Sequence, residues 1–276
     1  AAEYWQKAAA LLPEGEKKNK AYYLNAAGED LYHISRYSEA SSLFEQSLAI
    51  SREIGNREGE GESLGNIAGI HYAWDKYDKA LPLLEQSLAI SREIGNRKGE
   101  GESLNNIGMI YDAQGKYDKA LPLLEQSLAI CREIGEREGE GIILNNIGMI
   151  YDAQGKYAKA LPLLEQSLAI FREIGNRDRE VTLLNIIAWI HQARDEYDKA
   201  LSLYKQSLAI SQEIDNRQQE VEISWTIGRI YKLQGDLTKA EQYIARLVQL
   251  AEEIGHPLLE VWRKDLEKLR AEIKEQ

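Results

Sequence analysis

Residues Gly101–Glu140 read GESLNNIGMIYDAQGKYDKALPLLEQSLAICREIGEREGE, and residues 141–180 repeat them with changes at only seven of the forty places. The same frame runs back to Gly61 and Ala21 and forward to Val181 and Val221, giving six repeats (residues 21–256) in constant register. A fixed period between about 20 and 50 residues marks a solenoid, in which each repeat buries its apolar face on its neighbours. Places are counted here from the first residue of each repeat.

Each repeat reads as two helices. Leu104, Ile107, Gly108, Ile110 and Tyr111 recur at steps of three and four, so they share one face of a first helix. Ala120, Leu121, Leu124, Leu128 and Ile134 do the same for a second. Gly115 and Gly135 suit the left-handed turn past a helix end, as do Gly55, Gly95 and Gly175. Asp118, with Asp78 and Asp198, is expected to cap the second helix, and Pro82, Pro122 and Pro162 to sit in its first turn, where a missing N–H costs little. Asn56, Asn96, Asn176 and Asn216 are expected to cap the next first helix. No strand pattern occurs.

The ends differ from the repeats. Counted backward, residues 1–20 fall on a second helix alone, a half-repeat that leaves an apolar face open. In the sixth repeat the second helix drifts to AEQYIARLVQL, and residues 257–276 follow Pro257 with Leu258, Trp262, Leu266, Leu269 and Ile273 as one apolar stripe. That pattern predicts a capping helix over the last repeat, with its charged face in water.

Composition excludes several classes. Net charge is −11, from 34 basic and 45 acidic residues, which argues against a nucleic-acid backbone or an anionic membrane as partner. The single cysteine, Cys131, rules out an internal disulfide. No apolar run approaches a membrane span and no charged-then-apolar leader opens the residues, so a cytoplasmic chain is expected. The catalytic and phosphate-binding patterns HExxH, GxxxxGK[ST] and GxSxG are absent. His71 and His191 stand three repeats apart, too far for a ligand pair, while His33 and His256 are isolated. Cys131 shares its place with serines and Phe171, which is not how a nucleophile is kept. The chain is expected to be no enzyme and to need no metal or cofactor.

The pattern Leu104, Ile107-Gly108, Tyr111, Gly115, Tyr117, Ala120 and Leu124, with Phe44 and Tyr204 restoring an aromatic at the last place, resembles the tetratricopeptide repeat. Two departures are a period of forty rather than 34 and the late proline replaced by Arg132 and its equivalents. The extra residues should lengthen both helices. Long repeats of this kind are similar to those of kinesin light chains, of adaptors that regulate heterotrimeric G proteins, and of bacterial signalling arrays. The resemblance implies an all-α fold, a right-handed α-solenoid of antiparallel helix pairs. It also implies a concave wall of first helices whose places 2, 5, 6, 9, 12 and 13 touch a protein or peptide ligand.

The repeats also differ between their two helices. Lys76–Ile90 is identical to Lys116–Ile130, whereas the preceding first helices differ at Gly65/Asn105, Ala68/Gly108, Gly69/Met109, His71/Tyr111, Tyr72/Asp112 and Trp74/Gln114. Places 2, 5, 9 and 12 form a stripe apart from the core places 4, 7, 8 and 11. Its N-terminal zone holds Tyr22, Asn25, Glu29, Tyr32 and His33, then Asn66 and Tyr72. The middle holds Glu102, Asn105, Asn106, Met109 and Asp112, repeated as Asn145, Asn146, Met149 and Asp152. The C-terminal zone holds Asn185, Trp189, Gln192, Trp225, Arg229 and Lys232.

Asparagine is a poor helix former, so paired asparagines in mid-helix need a reason. One is that an amide both donates and accepts, and a ladder of amides can bracket an extended peptide backbone. The other is that these amides bond to the neighbouring helix and hold repeats together. Glu102, Asp112 and Asp152 make the middle acidic and favour a neutral-polar or basic ligand. A peptide-binding scaffold is therefore expected. The alternatives are a spacer array that self-associates through its ends and a peptide-sensing part of a larger signalling protein.

Overall fold

The computed structural model describes residues 1–13 and 15–275; Glu14, in the expected half-repeat, and Gln276, in the expected capping helix, lie outside the described residues. Fourteen α-helices and no strand occur among them. They are α1 (Ala2–Leu11), α2 (Lys17–His33), α3 (Tyr37–Glu53), α4 (Arg57–Ala73), α5 (Tyr77–Glu93), α6 (Arg97–Ala113), α7 (Tyr117–Ile134), α8 (Arg137–Ala153), α9 (Tyr157–Glu173), α10 (Arg177–Ala193), α11 (Tyr197–Glu213), α12 (Arg217–Leu233), α13 (Leu237–Glu253) and α14 (Leu259–Glu275). The fold is an all-α solenoid of helix pairs. It divides into two compact bodies, Ala1–Ile150 and Tyr151–Gln276, the division falling inside α8.

Even-numbered helices from α2 to α12 are the first helices and open four residues before the frame's places 1. Asn56, Asn96, Asn176 and Asn216 cap α4, α6, α10 and α12, each accepting from the N–H three residues on. Glu136 stands at that place before α8, and its carboxylate accepts from the Gly139 N–H.

The second helices depart from expectation. α5, α7 and α9 start at Tyr77, Tyr117 and Tyr157 from an N-cap lysine that makes no side-chain cap bond. Asp78, Asp118 and Asp198 thus lie one residue inside their helices, where they meet the positive end of the dipole but cap nothing. The cap place is two residues earlier. Only where it holds Asp236 does a carboxylate accept from the helix, at the Lys239 N–H. The same early start puts Pro82, Pro122 and Pro162 inside the helix rather than in its first turn. Pro122 leaves unused the carbonyl of Asp118, four residues back, but both residues are exposed, so water can serve that group.

Ile107 and Ile110 of α6 cluster with Ala68 of α4 and with Ala80 and Leu84 of α5, and Leu104 of α6 and Ala120, Leu124 and Ile130 of α7 are buried as well. Each such Leu or Ile contributes about 1.5–3 kcal/mol by leaving water. The pairing is close because place 8 is small: a Cβ on Gly108 would stand 2.9 Å from Leu124 Cγ. Buried serines help complete the join by serving backbone carbonyls. Ser127 Oγ donates to the Gly101 carbonyl at 2.6 Å, and Ser87 to Gly61 at 2.9 Å. Ser103 Oγ lies 3.2 Å from Ser87 Oγ, which ties α6 to the preceding α5.

A second device runs along the N-terminal ends of the first helices. Glu100 receives Arg92 from the end of α5 at 2.9 Å and Arg97 from the start of its own α6. Arg97 also reaches Glu133 of α7 at 2.5 Å. Arg52–Glu60–Arg57–Glu93 and Arg172–Glu180–Arg177–Glu213 repeat the motif. Two hydrogen-bonded arginines hold the Glu100 carboxyl below its ordinary range. At Glu60 and Glu140 burial is the largest influence and pushes upward, but the paired arginines outweigh it and the net shift is again down.

α14 covers the end of the second body. Trp262, Leu266 and Leu269 are buried, whereas Leu258 stays half exposed. Arg270 pairs with Glu241 and Arg263 with Glu252, both on α13. Cys131 lies buried on α7 opposite Gly139 of α8. Burial, with Glu136 and other acids nearby, pushes its thiol up to about 11.

Candidate functional site

The amides of the first body form rungs between successive first helices. Asn66 Nδ2 on α4 donates to Asn25 Oδ1 on α2 at 3.2 Å and lies 3.3 Å from Glu29 Oε1. Asn25 Nδ2 reaches the same Glu29 oxygen at 3.1 Å. Asn146 Nδ2 on α8 donates to Asn105 Oδ1 on α6 at 3.0 Å. Asn105 in turn donates to Asn106 at 3.2 Å and Asn145 to Asn146 at 3.4 Å. The rule is simple: the place-6 amide gives its N–H to the place-5 carbonyl of the preceding repeat. Asn66 and Asn146 therefore spend donors on neighbouring helices, whereas Asn106 is exposed and faces Gly65, which has nothing to offer it.

That missing rung coincides with a cleft. Gly65 and Gly69 on α4 stand where α6 carries Asn105 and Met109, and their absent side chains open a space of about 460 Å³. Tyr32 and Glu29 of α2, Asn66 and Tyr72 of α4, and Asn106 and Met109 of α6 line it. Tyr72 packs on Tyr77 at 5.6 Å, and burial raises its hydroxyl pKa. A second cleft of about 380 Å³ shares Glu29, Gly65, Asn66 and Asn106 and adds Glu58, Glu62 and Glu102. Lys98, 3.8 Å from Glu102, is the cation among its lining residues. Loss of solvent is the largest cause that raises the Glu62 and Glu102 carboxyls; Glu58, Glu29 and Glu102 add to it at Glu62, and Glu136 and Glu29 add to it at Glu102, where Lys98 pulls the other way. Asp112, half-buried below Met109 on α6, is raised by burial alone.

The remaining expected residues are dispersed. Met149 is exposed on α8. Asp152 and Asn185 are half-buried, each with an Oδ1 that is enclosed and without a hydrogen bond. Trp189 is 50% exposed on α10. Trp225, Arg229 and Lys232 meet the end of the array: Trp225 lies 6.0 Å from Trp262, Arg229 lies over Trp225, and Lys232 pairs with Glu272 at 2.9 Å. His191 sits 2.9 Å from Glu196, which Lys199 and Arg194 also approach. Its carboxylate is lowered to about 2, by the Lys199 bond first. His71 Nδ1 is enclosed without a partner, and burial lowers its pKa. No helix among the described residues is long and apolar enough to cross a membrane.

The Gly65 and Gly69 opening and the acids Glu58 and Glu62 are the part of this site that the expected stripe left out. The substitution of Gly65 for Asn105 and Gly69 for Met109 between repeats was the available signal.

Solved structures place the fold among known solenoids. A Rap protein complexed with competence and sporulation factor is similar over 99% of this chain and 80% of its own, with TM-score 0.69 and 15% identity. A kinesin light chain with nearly identical repeats, from Podosopora anserina, matches 70% of this chain and 96% of its own, with TM-score 0.59 and 21% identity. The STAND signal transduction ATPase with a tetratricopeptide repeat sensor from Pyrococcus horikoshii matches 97% of this chain at TM-score 0.72 and 19% identity, this chain spanning 41% of its length. Comparison with curated proteins gives no match. The sequence profile described as "Tetratricopeptide repeat" matches residues 19–93, 59–133, 99–173, 139–213 and 178–253. The chain belongs to the tetratricopeptide repeat family.

Proposed function

We propose that this protein is a non-catalytic binding module of the cytoplasm that takes a peptide or helical segment of a partner protein along the wall of its first helices. The observation that carries the reading is the pair of adjoining clefts on α2, α4 and α6, one largely apolar and one lined by four glutamates. A scaffold needs no surface of this kind, because the second helices, serines and ion pairs already hold the repeats together. The Rap structure holds a factor bound to a fold of the same kind, which supports the reading by analogy only.

A peptide is favoured over a rigid partner because exposed Asn106, which has no rung to the preceding helix, offers its amide N–H to an extended backbone. Acidic surroundings favour basic or neutral-polar sequences. The test is to pan a randomised twelve-residue displayed library against the purified chain. Enriched peptides are then measured on wild type and on a Glu102→Lys/Asp112→Lys variant. Enrichment of neutral or cationic sequences, with a loss of at least about tenfold on the variant and an unchanged thermal melt, supports the reading. A library that yields no binder, or binders indifferent to the charge reversal, overturns it.

A further inference from the structure

The opening over α4 has a cause that packing does not explain. Glycine inside a helix costs about 0.5–1 kcal/mol relative to alanine, and beyond Gly61, a place that is glycine in the next two repeats as well, α4 carries Gly65 and Gly69 on the same stripe. Glycine at place 8 is forced elsewhere by a close neighbour, as Gly108 is by Leu124. Gly65 and Gly69 are not forced: a Cβ would meet nothing nearer than 3.7 Å at Gly65 and 3.9 Å at Gly69. The equivalent places in the next two repeats hold Asn105 with Met109 and Asn145 with Met149. A less stable helix is kept, and what it yields is empty space.

That space is of the size that admits a ligand group, about 300–1,000 Å³ being usual. Its walls are the rings of Tyr32 and Tyr72 and the thioether of Met109, surfaces that suit an aromatic or long aliphatic side chain. It meets the acidic cleft along Gly65, Asn66 and Asn106. There Glu29, Glu58, Glu62 and Glu102 face one lysine, an excess of negative charge without a protein partner to balance it. Asn106, lacking its rung, stands at the junction with its amide available to a backbone.

We infer that the Gly65–Gly69 opening is the anchor pocket for one large apolar side chain of the bound peptide, and that a lysine or arginine nearby in that peptide enters the adjoining glutamate cleft. This inference rests on the peptide-binding reading and adds which residue types are read and where.

The experiment uses the peptides enriched on the wild-type chain. Four variants are compared with it: Gly69→Met and Gly65→Asn, which restore the side chains of the following repeats, Gly69→Ala, and the double Glu62→Gln/Glu58→Gln. Enriched peptides should share one large apolar residue within a few positions of a lysine or arginine. Gly69→Met should weaken them tenfold or more while the melting temperature holds or rises, and Gly69→Ala should weaken them less. Replacing the peptide's large residue by alanine should cost as much on wild type and nothing further on Gly69→Met. The double glutamine should weaken binding about tenfold, with the loss confined to peptides carrying the cation. If enriched peptides bind Gly69→Met and Gly65→Asn as they bind wild type, the anchor pocket is refuted while the wider binding reading stands. If the chain enriches nothing, both fall.

Discussion

At the scale of single residues, the turns show how much of this chain is local backbone chemistry. The helix ends at place 15 and place 35 require positive φ, and glycine supplies it at Gly115 (φ 70°) and Gly135 (φ 70°). Four exceptions adopt the same region with a side chain: Ser35, Asp75, Asp195 and Asp215. Asp75 and Asp195 gain something in return, since Tyr77 and Tyr197 donate to them at 2.7 and 2.9 Å. Asp215 has only the exposed Arg217 at 3.0 Å. A left-handed non-glycine residue costs about 1–2 kcal/mol, partly offset here by the tolerance of aspartate for that region. Asp215→Gly is therefore expected to raise stability by up to about 1 kcal/mol in urea denaturation; no gain in midpoint would mean that the Arg217 contact matters more than the strain. These turns were legible from glycine spacing alone. The asparagines were only half legible, because a sequence shows that an amide stands in mid-helix but not which atom across the gap it meets. Asn66 and Asn146 turned out to give their N–H groups to Asn25 and Asn105, and only Asn106 was left over.

At the scale of the helix, apolar periodicity was enough to find every element, and it was the starts that misled. In the first five repeats the tyrosine at place 17 begins the second helix, so Pro122 fell in the interior and Asp118, at place 18, capped nothing. Capping is decided by a one-residue difference in where the backbone leaves the left-handed turn, which no hydrophobic pattern resolves. The ion-pair chain escaped notice for a different reason: Arg92, Arg97 and Glu100 read as ordinary surface charge around a turn, and Glu133 stands 36 residues beyond Arg97. One link in that chain is broken. Glu220, fully buried, pairs with Arg217 at 2.9 Å, but Gln212 occupies the place of Arg92 and Arg172, and Glu220 Oε2 has no partner. An unserved buried carboxylate oxygen costs about 1–3 kcal/mol. Gln212→Arg should restore the second arginine and lift the melting temperature by a few degrees, with most of the gain surviving 0.5 M salt because Glu220 is enclosed. A neutral or negative change in the calorimetric trace would show that the arginine fork does not reach.

At the scale of the whole molecule, the two groups of acids pull stability in opposite directions with pH. Glu60, Glu100 and Glu140 have folded-state pKa values below the ordinary 4.5, so the stability they supply is complete above that value and is lost as pH falls through their lowered range. Glu62, Glu102, Asp112 and Asp152 are raised, so the folded chain takes up their protons first, and acidification toward the ordinary range relieves a cost. Thermal melts should thus be flat or slightly improved from pH 7 to about 5 and fall steeply below about 4.5. Glu100→Gln should remove part of the steep limb, and a melt that declines steadily from pH 7 would contradict the division. The same opposition suits a binding wall: charge that costs stability in the free chain is charge available to a partner. What the sequence could not disclose at this scale is that two neighbouring clefts differ in character, since that follows from Gly65 and Gly69 failing to fill a space that only the assembled helices define.

Cys131 gives the array a timekeeper. A thiol whose pKa is pushed up to about 11, buried beside a small cleft between α7 and the start of α8, is expected to react slowly with alkylating reagents while those layers stay shut. Each labelling event then records one excursion in which the middle of the solenoid comes apart, so the native protein carries its own clock for how often, and in the presence of which bound molecule, its repeats separate.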